Sequence, residues 1–585
     1  MKRTPIFIQL IITVLFAAML LSGCRATGEE KGAPVTEEGI GEENVLVGEA
    51  PGGEADTESG PESELEEIVV LYTNDVHCAA GSGIGYAGVA AMKEDLAKTH
   101  SHVVLVDCGD HCQGGTIGFL SKGNYPIQIM NQAGYDYAVP GNHEFDYGLE
   151  VLRTNMLAAE FRYLACNVTY IGTGSDPFFG MAPYEIVDYD GTKVAYIGVT
   201  TPDTEIKTNR KRLEENGTYA VDFHGETINA FCKVIQENVD ACRAQGAQYV
   251  ILLGHLGTDQ NTAFNSEAVI RGTEGIDAVL DAHSHTRIEE EFRPNKNGEK
   301  VLLTSTGNAF RSVGQLIIAK DGTVTSRLFD TYDRKDKQTQ ALVDNIEKAC
   351  EEETKQVVGS TAYPLMYKDN DGIRMIRSRE TNLGDLISDA VRTGMDSGIT
   401  LVNSGSIRAG IAEGDITRGD VLNVLPLYNE YVTVRLKGSA LLDALEMGVS
   451  TMEKEYAADG NAVGENAAFF QVSGLRYTVK LSVPSSVETD EKGCFVRVAG
   501  EYRVRDVFVE TAEGELEPLD PELDYAVTTT TFLQQGGDGM AMLKDSETLS
   551  EAMPESDLLE AYIRSFPDGK IPKKYRSSQG RITVR

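Results

Sequence analysis

Positive charge is scarce in this chain relative to negative. Its 585 residues carry 53 Lys and Arg against 90 Asp and Glu, a formal net charge of −37. So acidic a composition argues against nonspecific nucleic-acid binding, and any anionic substrate must be drawn in by local clusters of cations. Cysteines number nine, with no CxxC pair and no dense framework, so a disulfide scaffold is not indicated. Membrane-length apolar runs are missing as well. The run from Ile6 to Leu21 has 16 residues, short of the ~20 needed to span a bilayer. Tryptophan and internal repeats are absent, without consequence for the reading. What remains, 41% apolar and 24% charged residues, is ordinary globular composition on a chain long enough for several domains.

Lys2 and Arg3, the short apolar run and the small residues Ser22-Gly23 form a secretory signal. Leu21-Ser22-Gly23-Cys24 resembles a bacterial lipobox. That resemblance implies cleavage before Cys24, lipidation of its side chain, and a membrane partner reached through the lipid anchor. The expected location is the cell envelope, facing outward from the cytoplasmic membrane. A short apolar run ending in an arbitrary cysteine is the plainer alternative. Residues 25–67 hold 14 acidic and two basic side chains with almost no large apolar ones. Such a segment cannot offset its ordering entropy and reads as a disordered, self-repelling tether.

From Ile68 the character changes. Four β-rich apolar runs lead straight into polar clusters: Ile68–Tyr72 into Asp75 and His77, His102–Val106 into Asp110, Tyr249–Leu253 into His255, and Ile276–Leu280 into His283 and His285. A fifth cluster, Gly141-Asn142-His143-Glu144-Phe145-Asp146, follows the apolar segment 136–140. Amphipathic stretches such as 88–98 and 226–243 lie between the runs, so the expected class is α/β. Open α/β sheets place their sites beyond the carboxyl ends of strands. The segment 337–356, apolar at Leu342, Val343, Ile346 and Ala349, reads as a helix linking domains. The second domain, 357–585, opens on the amphipathic helix 381–392.

A lone buried histidine is usually a hydrogen-bonded core residue. Here five of the nine histidines fall in clusters of ligand-type residues at strand ends. Mixed imidazole, carboxylate and amide donors suit Zn²⁺, Mn²⁺ or a similar ion better than Ca²⁺ or Mg²⁺. Two such ions can activate a water and clamp a phosphoryl group, provided a carboxylate bridges them.

Asp75-x-His77, Gly109-Asp110, Gly141-Asn142-His143-Glu144, Gly254-His255 and Ala282-His283-Ser284-His285 resemble, in order, the five motifs of calcineurin-type metallophosphoesterases. The resemblance implies an N-terminal layered β-sandwich flanked by helices (68–336), and two divalent metal ions. Asp75, His77, Asp110 and His285 would hold one ion, and Asp110, Asn142, His255 and His283 the other. His143, oriented by Asp146, would be the catalytic pair, with Glu144 in support. Cys78 and Ala282 stand where the family often has glycine. Both are small, and neither change removes a ligand.

Beyond the linker helix, Arg377-Ser378-Arg379, Asn403 to Arg408 and Phe532 to Gly539 resemble the 5′-nucleotidase C-terminal domain, a smaller α/β unit. Arg377, Arg379 and Arg408 supply local cations for phosphate. Asn403 lies in the same motifs, and Asp538 can accept hydrogen bonds from ribose hydroxyls. Phe532 can stack on a base. The family's other aromatic falls just after Pro426, where this chain has Leu427 and then Tyr428. Either Tyr428 supplies the second face or the clamp is one-sided. The implied function is hydrolysis of nucleoside 5′-monophosphates. The alternatives are 2′,3′-cyclic nucleotides, UDP-sugars or other nucleotide diphosphates on the same site, or a binding module with a degenerate site. No oligomeric state is specified.

Overall fold

The carboxyl ends of two β-sheets meet in the first half of the chain. The computed structural model describes residues 67–173, 181–258, 262–369, 372–452, 465–511, 513–544 and 546–585. The signal, the lipobox with Cys24 and the tether up to residue 66 lie outside them. Among the described residues no helix is long and apolar enough to cross a membrane.

Ile68–Thr73, His102–Asp107, Tyr137–Ala138 and Arg162–Tyr163 run parallel in one six-stranded sheet, whose other edge is the hairpin Val313–Ile318/Val324–Phe329. The second six-stranded sheet has Thr192–Thr200, Tyr249–His255, Ala278–Leu280 and Lys300–Thr306 parallel at its centre. Strands buried on both faces read as near-continuous apolar runs, and the period of two divides each run between two cores. Ile251 and Leu253 join Val70, Tyr72, Val104 and Val106 between the sheets. Val250 and Leu252 point the other way, onto Phe231, Ile235 and Val239 of the helix Ile228–Ala244. Each fully buried aliphatic side chain contributes about 1.5–3 kcal/mol. Helices Gly85–Leu96, Asn124–Ala133 and Leu149–Ala158 cover the outer face of the first sheet. The result is the helix-flanked β-sandwich the sequence implies.

The helix Lys337–Thr354 is capped by Asp336, whose carboxylate accepts from the Thr339 amide at 2.8 Å. Its apolar face, Val343, Ile346 and Cys350, is part of the first domain's outer core. It therefore packs on the first domain's sandwich.

The C-terminal half is built on a five-stranded sheet ordered Phe470–Ser473, Ile399–Asn403, Asp524–Thr530, Glu430–Lys437, Met553–Pro554. Asn382–Gly394, N-capped by Thr381, and Glu555–Ser565 pack on one side of it, and Gly438–Gly448 on the other. A four-stranded sheet completes this half.

Candidate metal centre and adjoining cavity

Every ligand-type residue singled out above sits just past, or at the end of, a strand's carboxyl terminus, and the structure brings all seven together. Donor atoms of Asp75, His77 and His285 lie within 4.8 Å of one another, as do those of Asp110, His255 and His283. Asn142 Oδ1 is 3.3 Å from His255 Nε2. Asp110 stands between the groups: its Oδ2 is 3.3 Å from His255 Nε2 and 3.8 Å from His77 Nε2.

The backbone shows what this convergence costs. Asp75, His77, Asp110, His283 and His285 all have left-handed φ, between 46° and 71°, a region unfavourable for residues with a Cβ. Cys78 shares it at φ 57°, a conformation that glycine adopts at less cost. Two glycines are steric necessities. A Cβ on Gly141 would lie 2.3 Å from Asp110 Oδ1, and one on Gly109 would lie 2.6 Å from the Gly141 nitrogen.

Hydrogen bonds aim the imidazoles. His77 Nδ1 lies 3.1 Å from the Gln113 carbonyl and His255 Nδ1 lies 2.7 Å from the Cys108 carbonyl. A carbonyl only accepts, so each Nδ1 carries the proton and each Nε2 presents its lone pair to the centre. His77 Nε2 and His285 Nε2 then face each other at 3.0 Å. Burial pulls His77 down to about 3 and His283 and His285 well below the ordinary imidazole range. Burial has the same effect on His255, but Asp110 outweighs it and holds that ring at about 10. A divalent cation beside Asp110 would displace the His255 proton, and the four imidazoles converging on buried carboxylates form a donor set that fits such a cation.

Glu144 touches none of this directly. Its carboxylate accepts from the amides of Asp110, His111, Cys112 and Gly141 at 2.6–2.9 Å. One side chain thus ties the loop bearing Asp110 to the loop bearing Asn142. Each of those buried donors would cost about 1–3 kcal/mol if left without an acceptor. His111 escaped notice in the sequence. It is fully buried, with Nδ1 2.7 Å from Asp107 Oδ1 and Nε2 2.7 Å from the Tyr163 hydroxyl. It holds the same loop from behind. Its position beside Asp110, four residues after Asp107, was the available signal.

His143 Nδ1 is 2.6 Å from Asp146 Oδ2, and its Nε2 is 3.5 Å from Arg408 Nη2 in the other half of the chain. Its backbone N–H donates to Asp110 Oδ1 at 2.9 Å. Burial lowers this imidazole, but Asp146 and Asp110 outweigh it, and it sits above its ordinary value.

A cavity of about 380 Å³ joins this centre to the C-terminal half. Asp110, Asn142, His143, Asp146, His283 and His285 line it from one side, and Arg377, Asn403, Arg408, Tyr428, Phe532 and Asp538 from the other. Arg379 does not line it; Arg374 does. Arg374 and Arg377 share Glu465, and burial together with the Arg374 charge pulls Arg377 down to about 9. Asn403 Oδ1 and Arg377 Nε are buried without a hydrogen-bond partner. The Phe532 ring packs on Gly537, where an added Cβ would come within 2.4 Å of it. Tyr428 departs from the simple clamp. Its ring stacks on Phe119 of the first half, centroids 4.0 Å apart and 13° from parallel, and its hydroxyl donates to the Phe119 carbonyl. Leu427 joins it in the cavity wall. The halves also meet through Lys207–Asp538 at 3.0 Å and Lys492–Glu205 at 2.7 Å.

Sheet pairings and strand-end donors of this kind define a metallophosphoesterase, and residues 68–287 match the calcineurin-like phosphoesterase family. Residues 357–545 match the 5′-nucleotidase C-terminal domain. The chain therefore belongs to the two-domain 5′-nucleotidase family, and it is a hydrolase of phosphate monoesters that uses divalent metal ions. It is 29% identical over 569 residues to a snake venom 5′-nucleotidase of Gloydius brevicauda, covering 88% of each chain. It is 28% identical over 531 residues to the trifunctional nucleotide phosphoesterase protein YfkN of Bacillus subtilis, covering 83% of this chain but spanning only 33% of that protein. The crystal structure of a 5′-nucleotidase precursor from Thermus thermophilus superposes with a TM-score of 0.71 at 26% identity, covering 88% of this chain and 99% of that one.

Proposed function

We propose that this chain hydrolyses nucleoside 5′-monophosphates to nucleoside and phosphate through a dinuclear metal centre. The observation that carries the proposal is the shared cavity: the metal-ligand cluster and the arginine-bearing face of the second domain line one space. In this reading the phosphoesterase domain is 68–336, the helical linker 337–356 and the substrate domain 357–585. Asp75, His77, Asp110 and His285 hold one ion, and Asp110, Asn142, His255 and His283 the other, with zinc or manganese as the expected metals. When bound, such ions polarise the phosphoryl oxygens and activate a water. The protein's own groups do the rest. Arg377 and Arg408 bind the phosphoryl oxygens, with Arg374 beside them in place of Arg379. Asp538 and Asn403 receive the ribose, and Phe532 stacks on the base. His143 holds its Nε2 toward the cavity to stabilise charge on the transferring group or protonate the leaving oxygen.

Purified protein is expected to release phosphate from nucleoside 5′-monophosphates, to lose that activity in EDTA, and to regain it with Mn²⁺ or Zn²⁺. The same assay on 2′,3′-cyclic nucleotides and UDP-sugars ranks the alternatives. No phosphate from any nucleotide would sink the reading.

We also propose that residues 1–24 are a lipoprotein signal, with Cys24 the acylated residue and 25–67 a tether outside the membrane. Cys24→Ala is expected to move the protein from the membrane to the soluble fraction and to abolish labelling by a fatty-acid probe. Unchanged membrane retention and labelling would contradict it.

A further inference from the structure

The hairpin formed by Val487–Thr489 and Phe495–Val498 lines the cavity, yet none of the motifs above falls in it. Among the described residues its two strands pair only with each other, and a two-stranded ribbon is marginal in water on its own. Its position is set at its root and at its tip. At the root, Val487 and Phe495 pack on the second domain's core cluster, which also contains Phe532, Met447 and Met540. At the tip, the Gly493 carbonyl approaches Gly539 so closely that a Cβ there would lie 2.4 Å from it. Lys492 Nζ reaches Glu205 of the phosphoesterase domain at 2.7 Å, and the Glu491 carbonyl accepts from the Ala263 amide at 3.4 Å. The ribbon thus runs from the core beneath Phe532, past the loop that carries Asp538, to the opposite domain.

The strand period decides which of its side chains a substrate meets. Successive residues point to opposite faces. Glu488 turns outward and pairs with Arg497, its partner directly across the ribbon, at 2.7 Å. Val487 and Thr489 turn the other way and line the cavity, with Ser485 before the strand and Lys492 and Gly493 in the turn. The face they offer is apolar and carries one hydroxyl. Small-molecule sites combine apolar lining with a few placed polar groups in this manner. Tyr428 gives one face of its ring to Phe119, so the wall near Phe532 is not built from aromatics alone.

We propose that this hairpin selects the base: Val487 packs against the nucleobase beside Phe532, and the Thr489 hydroxyl reads its polar edge. The inference rests on the nucleotide reading given above. Stacking on Phe532 does not choose among bases, because every base has a π-face. A hydroxyl both donates and accepts, and the pattern of donors and acceptors along the edge is what differs from base to base. The phosphoryl group is handled elsewhere in the cavity, so the hairpin acts on affinity for the nucleoside part and not on the chemical step.

The test measures KM for adenosine, guanosine, cytidine and uridine 5′-monophosphates, and the inhibition constant of ribose 5-phosphate, a competitor without a base. Val487→Ala/Thr489→Ala is expected to raise KM for the preferred nucleotide about tenfold, with the ribose 5-phosphate constant and kcat held within about twofold. Thr489→Val keeps the shape and removes the hydroxyl. Thr489 is exposed to the cavity and not sealed in the core, so this variant decides the matter if the double variant does not fold. It is expected to narrow the spread of KM among the four nucleotides about threefold. Equal changes for nucleotides and ribose 5-phosphate, an unchanged spread in Thr489→Val, or a wild-type protein with one KM for all four overturns the proposal. Wild-type protein that releases phosphate from no nucleotide overturns the nucleotide reading and the inference with it.

Discussion

Asp110→Asn is expected to remove turnover and metal pairing together. Asp110 is the carboxylate shared by both sides of the cluster, close to His77 on one and to His255 on the other. Two dications held a few ångströms apart repel strongly, and only a shared anion offsets that at close range. The asparagine variant keeps an oxygen to accept the His143 amide, now 2.9 Å from Asp110 Oδ1, so the loop should stay folded while the bridging charge is lost. Removing one preorganised electrostatic group typically costs about 10²–10³ in kcat. Here that loss is compounded by loss of a metal, so a fall beyond about 10³-fold is expected. Elemental analysis should show at most one tightly held ion per chain, with an unchanged circular dichroism spectrum. A variant that retains two ions and near-normal kcat would remove Asp110 from the bridging role.

How much of this was legible in the sequence depends on how local each signal is. Strand runs leading into Asp, His or Asn were readable because burial on both faces leaves continuous apolar segments, and the ligand-type residues follow within a few residues. Gly141-Asn142-His143-Glu144 was readable as a polar cluster after an apolar segment, and it forms a single 3₁₀ turn, Asn142–Phe145. The linker helix was legible from its apolar positions, but its docking onto the first domain was not, since periodicity marks a buried face without naming what covers it. The arginines show the same limit at finer scale. Arg374 precedes and Arg377 ends a 3₁₀ turn, Met375–Arg377. Positions three apart eclipse in such a turn, so those two reach the cavity side together and Arg379 does not line it. Nothing in the residue types alone separates the three. Tyr428 depended on a partner, Phe119, 309 residues away. Contacts across the domain boundary were where sequence reasoning stopped.

The His143–Asp146 pair was legible by spacing, and it yields the second large expectation. His143→Asn should keep both metals and lose turnover by about 10²–10⁴-fold, the range for a general acid. Asp146 fixes the ring: with Nδ1 held 2.6 Å from a carboxylate that can only accept, Nε2 is the atom left to face the cavity. Arg408 stands 3.5 Å from that Nε2, so the imidazole and the guanidinium converge where charge would build on the phosphoryl group or the leaving oxygen. The neighbouring carboxylates outweigh burial and raise the imidazole above its ordinary value, which keeps a proton available to give. Asparagine keeps a polar side chain and the backbone N–H to Asp110, so metal content and the thermal midpoint should hold. Asp146→Asn should cost less than His143→Asn, since it leaves the imidazole in place and loosens only its tautomer and aim. The outcome that would refute the role is near-normal kcat in His143→Asn with both ions bound. In that case the arginines and the metals alone would carry the transition-state charge, and the histidine would be a wall of the cavity.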